Sequence, residues 1–316
     1  MKTRLTDLLG IEHPVMLAGM GGVAYAELVA AVSDAGGFGT IGAAPLSPEQ
    51  MVDEMKKVRS LTDRDFGVDL LTAFPGDLVG QVHMVIDHGA SVFVAGLGVP
   101  REVVELCHEH DVLVMNMCGK VDHAVKAVEA GCDVVIAQGT EAGGHTGRIA
   151  TMPLIPLVVD AVGDKVPVVA AGGIFDGRGL AAARALGADG VWVGTRFIAT
   201  PEARTVTGYK EAIAASAEDG TVISRAWTGK TLRGIRNAYT DHFEAHPEEL
   251  KRFPDQMMSS LEQNALHLGG DETTAVDPDK ECYAAGQAVG GIDGLVPAAE
   301  LVHRFVAEAE EALARL

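Results

Sequence analysis

His145 lies in Gly143-Gly144-His145-Thr146-Gly147, shortly after the apolar run Asp133-Val134-Val135-Ile136-Ala137. An imidazole titrates near neutral pH, so in a loop at the mouth of a fold it can serve as acid, base or hydrogen-bond donor to an anion. Two further glycine-bearing turns, Gly172-Gly173 and Gly194-Thr195, also follow apolar runs. Glycine removes the Cβ that would hold a backbone N–H away from phosphate oxygens, which makes these turns the candidate seat of a phosphate-bearing cofactor. Tight turns require glycine as well. The recurrence in two successive loops is what favours phosphate.

Other patterns fail their context. Gly37-Phe38-Gly39-Thr40-Ile41-Gly42 matches the dinucleotide-binding GxGxxG, but it lies across a predicted strand and opens no helix. Gly19-Met20-Gly21-Gly22-Val23-Ala24 does sit between strand and helix, yet no acidic residue closes the next strand to hold a ribose. Cys107-His108-Glu109-His110 has ligand-type residues, but neighbours on a helix point in different directions. Nucleophile elbow, Walker loop, HExxH and CxxC are all missing from the sequence, so hydrolase and metalloenzyme readings have no motif.

The elements that must position these residues repeat. Short β-branched runs fall at 14–18, 38–41, 66–71, 91–95, 112–115, 133–137, 166–170 and 190–194. Between them, 25–35, 48–60, 78–88, 100–110, 121–130, 152–162 and 177–186 have the length and composition of helices, several ending in Gly as left-handed caps require. Eight βα units at about 25 residues each fit a closed (β/α)8 barrel, the TIM-barrel architecture, better than an open sheet. In such a barrel the active site lies at the carboxyl ends of the strands, where the glycine loops fall. Residues 205–282 change character, with clusters of His, Glu, Asp and Met. This stretch is expected to be a mainly helical inserted substrate or lid domain. Residues 1–204 plus 283–316 would form the barrel, closed by an amphipathic helix over 297–315.

Composition narrows the partners. Acidic residues outnumber basic ones 44 to 25 for a net charge of -19, opposite to what nucleic acid attracts. The longest apolar runs are far short of the roughly 20 residues of a membrane span, and the first residues carry no signal-peptide core. Cys107, Cys118, Cys132 and Cys282 show no metal or disulfide spacing and read as buried reduced thiols. A cytoplasmic enzyme with a small-molecule substrate is expected. No nucleic-acid or membrane partner is expected, and the exposed covering helices would suit a homodimer.

At the loop after the sixth run the residues become recognisable. Ala137-Gln138-Gly139-Thr140-Glu141-Ala142-Gly143-Gly144-His145-Thr146-Gly147 resembles the signature of the nitronate monooxygenase family, formerly called 2-nitropropane dioxygenases. Ala170-Ala171-Gly172-Gly173-Ile174-Phe175-Asp176-Gly177-Arg178-Gly179 and Val193-Gly194-Thr195-Arg196-Phe197 resemble its next two blocks, and His13-Pro14-Val15-Met16 through Gly19-Met20 fits its opening. The resemblance is strong over residues 5 to about 200 and weak at Ala285-Gly286-Gln287 and the last helix.

The resemblance implies FMN at the barrel mouth. Gly172, Gly173, Gly194 and Thr195, with Ala171 beside them, would hold its phosphate; Gly19, Met20, Gly21, Gln138 and Gly143 would line the isoalloxazine and ribityl chain. His145 matches the family's active-site histidine. Two positions depart from the pattern. Asp69 stands where members commonly carry Asn, and a carboxylate cannot donate to a flavin carbonyl unless protonated. Met117 stands where many carry Lys. The first expectation is oxidation of alkyl nitronates with oxygen to carbonyl compounds and nitrite. The alternative is reduction of an enoyl thioester (acyl-carrier-protein or CoA) or quinone by NADH or NADPH, since the related FMN-dependent enoyl-acyl-carrier-protein reductase II shares the signature and tolerates Met at that place. A non-catalytic flavin-binding barrel is the third reading.

Overall fold

The structure is a computed structural model and describes residues 1–72, 76–96 and 98–315. Aliphatic and β-branched residues on both faces suit strands covered on both sides, and all eight runs form them. They are β1 (Val15–Leu17), β2 (Gly39–Gly42), β3 (Phe66–Leu71), β4 (Val92–Gly96), β5 (Leu113–Cys118), β6 (Val134–Gln138), β8 (Val168–Ala171) and β9 (Gly190–Val193). A separate three-stranded antiparallel sheet consists of β7 (Gly144–His145), β10 (Thr221–Ser224) and β11 (Leu232–Ile235), in the order β10-β11-β7.

The eight strands run parallel in the order β1-β9-β8-β6-β5-β4-β3-β2. A bridge between Met16 and Phe38 joins the two ends, with Leu17 N donating to Phe38 O at 2.8 Å and Phe38 N to Val15 O at 3.0 Å. The result is a (β/α)8 barrel, as the run count predicts. Its interior is filled by Met16, Phe38, Val94, Met115, Ile136 and Trp192. A short helix that the run pattern did not predict, Arg4–Leu9, puts Leu5 and Leu9 into this same cluster, against the start of the barrel strands. The floor is thereby sealed and the opposite end stays open.

The predicted helices form within one or two residues of their expected bounds, for example Ala26–Asp34, Pro48–Leu61, Val121–Ala130 and Gly177–Ala185. The closing helix spans Ala298–Leu313 and buries Leu301, Val302 and Phe305 against the outer layer. The glycine pattern at 37–42 has a packing cause. A Cβ on Gly39 would lie 2.3 Å from the carbonyl oxygen of Val29, so glycine lets the helix Ala26–Asp34 lie close on β2.

Residues 205–282 carry more helix than strand, in Tyr209–Ala215, Ala238–Ala245 and Asp255–Glu262 with one 3-10 turn. They also hold β10 and β11, which the sequence pattern does not show. Trp227, Leu232, Tyr239, Phe243 and Leu266 form a small core of their own there. Among the described residues, no helix is long and apolar enough to cross a membrane.

Leu5 is fully buried, so truncating it leaves a cavity under the barrel floor. Leu5→Ala is expected to cost about 2–5 kcal/mol. A urea titration should show a lower midpoint with an unchanged slope.

Candidate active site

The open end of the barrel receives the carboxyl ends of the strands, and the expected site residues converge there. His145, Gly19, Met20, Gly21, Asp69, Gln138, Gly143, Ala171, Gly172, Gly173, Gly194 and Thr195 all line one cavity of about 400 Å³. A second cavity of about 920 Å³ adjoins it, and Leu71, Met117, Gln138 and His145 belong to the walls of both. His145 therefore stands between a glycine-lined chamber and a larger one.

Glycine shapes the first chamber. Gly172 and Gly173 have φ of 103° and 73°, a left-handed backbone that glycine adopts without strain. A Cβ on Gly172 would sit 2.8 Å from Thr151 Oγ1. The loop after β6 and the segment returning from 205–282 cross backbone to backbone: a Cβ on Gly143 would lie 2.7 Å from the carbonyl carbon of Ala285, and one on Gly286 2.5 Å from the Glu141 oxygen. Gln287 N donates to Glu141 O at 2.9 Å and Gly286 N to Thr195 Oγ1 at 3.0 Å. The Glu141 carboxylate accepts from Thr151 N at 2.8 Å and lies 2.9 Å from the Thr151 hydroxyl, which is 3.0 Å from Gly172 O. One acidic residue thus ties the β6 loop to the start of the next helix and to the β8 turn.

His145 is held by the added sheet. It pairs with Leu232 and Gly144 pairs with Arg233, so the histidine is an edge residue of β7 against β11. Gln138 Nε2 donates to the His145 carbonyl at 2.8 Å. The imidazole Nε2 lies 3.1 Å from the buried Thr228 hydroxyl. Arg233, itself buried, donates through Nε to Thr140 O at 3.0 Å and through Nη1 to Thr221 Oγ1 at 3.2 Å, locking β11 to the β6 loop. The ring stands exposed at the cavity wall, yet partial desolvation by that wall, then the Lys230 ammonium, hold its pKa below the ordinary histidine range. It is neutral at pH 7, with one N–H and one lone pair.

Asp69 sits in the carboxyl half of β3, 5% exposed, beside Gly19. Burial pushes its carboxyl up to about 8. The acid is therefore largely protonated at neutral pH and can donate a hydrogen bond as an asparagine does. The departure from the expected asparagine at this place changes the chemistry less than its formal charge implies.

Some lining residues carried no signal in the sequence. His267 Nδ1 lies 2.6 Å from the carboxylate of Glu281, which is 2% exposed, and both face the glycine-lined cavity with Thr228. They come from a stretch without periodicity, where only the abundance of His and Glu hinted at function. The cluster at 107–110 stays apart: Cys107 is buried and His108 meets Asp133 at 2.9 Å. All four cysteines are free and buried.

The sequence model of the family described as Nitronate monooxygenase matches residues 2–78 and 72–308. The chain belongs to the nitronate monooxygenase family. It is 34% identical over 342 residues to a Mycobacterium tuberculosis protein named (3aS,4S,5R,7aS)-5-hydroxy-7a-methyl-1-oxo-octahydro-1H-indene-4-carboxyl-CoA dehydrogenase, covering 98% of this chain and 96% of that one. A probable nitronate monooxygenase of Staphylococcus saprophyticus is 34% identical, with 87% and 90% covered. Among solved structures, FabK from Thermotoga maritima superposes with a TM-score of 0.90 at 33% identity, covering 100% of this chain and 98% of that one. A nitroalkane oxidase from Streptomyces ansochromogenes gives 0.84 at 29%, with 98% and 99% covered. This member of the nitronate monooxygenase family is an oxidoreductase.

The Asp69 shift has a sign that stability can report. Below about pH 4 the acid is protonated in folded and unfolded chains alike; between the free value of 3.8 and about 8 only the unfolded chain ionises, so stability falls as pH rises through that window. Asp69→Asn has no such loss. Its melting temperature relative to the parent should climb from pH 5 to pH 8 and level off above; a constant offset would contradict the shift.

Proposed function

We propose that FMN occupies the glycine-lined cavity and that the enzyme reduces an enoyl thioester or quinone with electrons from NADH or NADPH. The residues fit the cofactor. A Cβ at Gly19 or Gly172 would collide with Asp69 or Thr151 and narrow the chamber, and glycine at both keeps it open. Gly172, Gly173, Gly194 and Thr195, next to Ala171, would hold the phosphate, while Gly19, Met20, Gly21, Gln138 and Gly143 would line the ring and ribityl chain. Protonated Asp69 would donate to a ring acceptor. Bound there, FMN supplies the hydride and electron chemistry that no side chain can.

His145 is positioned to act on the substrate. Its Thr228 contact and the β7–β11 pairing fix the imidazole between the two chambers. Neutral, it can donate to a thioester or quinone oxygen as negative charge develops there, or accept a proton, without forming a permanent ion pair with an anion. The observation that carries this reading is size. The chamber beyond His145 is about 920 Å³, far more room than a short alkyl nitronate fills. The named activity of the mycobacterial relative, dehydrogenation of a carboxyl-CoA, supports a CoA thioester as the ligand class. Its site of action would be the cytoplasm, where the four unpaired thiols stay reduced.

The second reading, oxidation of alkyl nitronates by oxygen, is favoured by the family model that spans most of the chain. There His145 would hold the nitro oxygens or take the α-proton of a neutral nitroalkane.

Anaerobic mixing separates the two. The flavin absorbance is expected to bleach rapidly with NADH or NADPH and to stay unchanged with an alkyl nitronate; bleaching by nitronate with no response to either nicotinamide would overturn the proposal. His145→Ala should slow reoxidation by the enoyl or quinone acceptor by about 10²–10⁴-fold. Gly172→Val should purify without the flavin spectrum.

A further inference from the structure

The larger chamber carries a charge opposite in sign to that of the whole chain. The chain carries 44 acidic and 25 basic residues, yet Lys120, Lys126, Arg148, Arg225 and Lys230 line this one cavity and none of its described lining residues is acidic. Lys120 and Lys126 are partly neutralised by Asp122, at 3.3 and 3.1 Å. Among the described residues, Arg148, Arg225 and Lys230 have no carboxylate within ion-pair distance. Two of these three are held in place: Arg225 Nε donates to the Gly229 carbonyl at 2.9 Å, and the Lys230 ammonium lies 4.0 Å from the centre of the Phe253 ring.

The net charge of -19 disfavours approach of anions to the molecule as a whole, so a cation-lined cavity opening onto His145 would be a selective entrance for them. Arginine offers paired donors matched to phosphate oxygens, and a pyrophosphate between two guanidinium groups and an ammonium would be well neutralised. Several phosphates are needed to neutralise such a set. A lone carboxylate or nitronate would leave most of it unmatched.

We propose that Arg148, Arg225 and Lys230 bind the phosphorylated adenosine diphosphate arm of a substrate or reductant whose reacting end reaches His145. This rests on the thioester and nicotinamide reading for its source, because coenzyme A and NADPH both carry such an arm. The two differ in the position of the ribose phosphate, which distinguishes them.

The test is calorimetric titration of the flavin-loaded enzyme with 3′,5′-ADP, 2′,5′-ADP and inorganic pyrophosphate at two salt concentrations. Salt-sensitive binding of at least one nucleotide is expected, weakened tenfold or more in Arg148→Gln/Arg225→Gln, whose flavin spectrum and melting temperature should match the parent. Arg148→Lys/Arg225→Lys should recover part of the affinity. Tighter binding of 3′,5′-ADP assigns the arm to a CoA thioester, and tighter binding of 2′,5′-ADP assigns it to NADPH. Binding of neither nucleotide, binding of pyrophosphate alone, or affinity unchanged in the double glutamine variant overturns the proposal. Nucleotide binding without nicotinamide bleaching would retire the electron-donor reading while leaving the anion site standing; the reverse result would retire the site alone.

Discussion

The glycine-lined cavity depends on the crossing of two backbones at Gly143 and Gly286. Neither strand can carry a Cβ there, and the close approach lets Glu141 accept from Gln287 while Gly286 donates to Thr195. From that crossing, the β6 loop turns toward β11, the return segment turns toward the closing helix, and the β9 turn is pinned between them. The Glu141 carboxylate extends the same anchorage to Thr151 and so to the β8 turn. Three of the loops lining the glycine chamber thus share one fixed point. A ligand cradle made of backbone needs such a point, because it has few side chains with which to adjust.

The barrel and its mouth were legible because their signals are local. A strand buried on both faces reads as a continuous apolar run, as 133–137 does, and a helix ending at Ala130-Gly131 announces its own cap. Glycine pairs after successive strands read as a ligand cradle for the same reason. The Arg4–Leu9 helix was missed because six residues carry too little periodicity, although Thr3 and Thr6 cap it reciprocally.

What was illegible is non-local. Nothing in Gly144-His145 indicates a strand, since its partner lies nearly ninety residues away in sequence and the pair exists only after the barrel has closed. His267 and Glu281 meet across a stretch with no repeating pattern. Asp69 is the instructive case: its formal charge suggested a lost donor, whereas burial, visible only in the fold, restores the proton. The volume of the chamber beyond His145 is likewise a property of the fold that no residue spacing encodes.

The pairing of His145 with Leu232 makes the placement of this imidazole at the cavity wall the joint property of two parts of the chain. In a strand, side chains alternate between faces, so a slip of one residue in that short ladder would present Thr146 or Gly144 where the imidazole now stands. The barrel supplies the histidine, and the segment beyond it sets its aim. Evolutionary exchange of residues 205–282 between related barrels would therefore transmit more than a new pocket wall. It would also reset the direction in which the imidazole faces the cavity, so that a change of wall and a change of side-chain aim would arrive together.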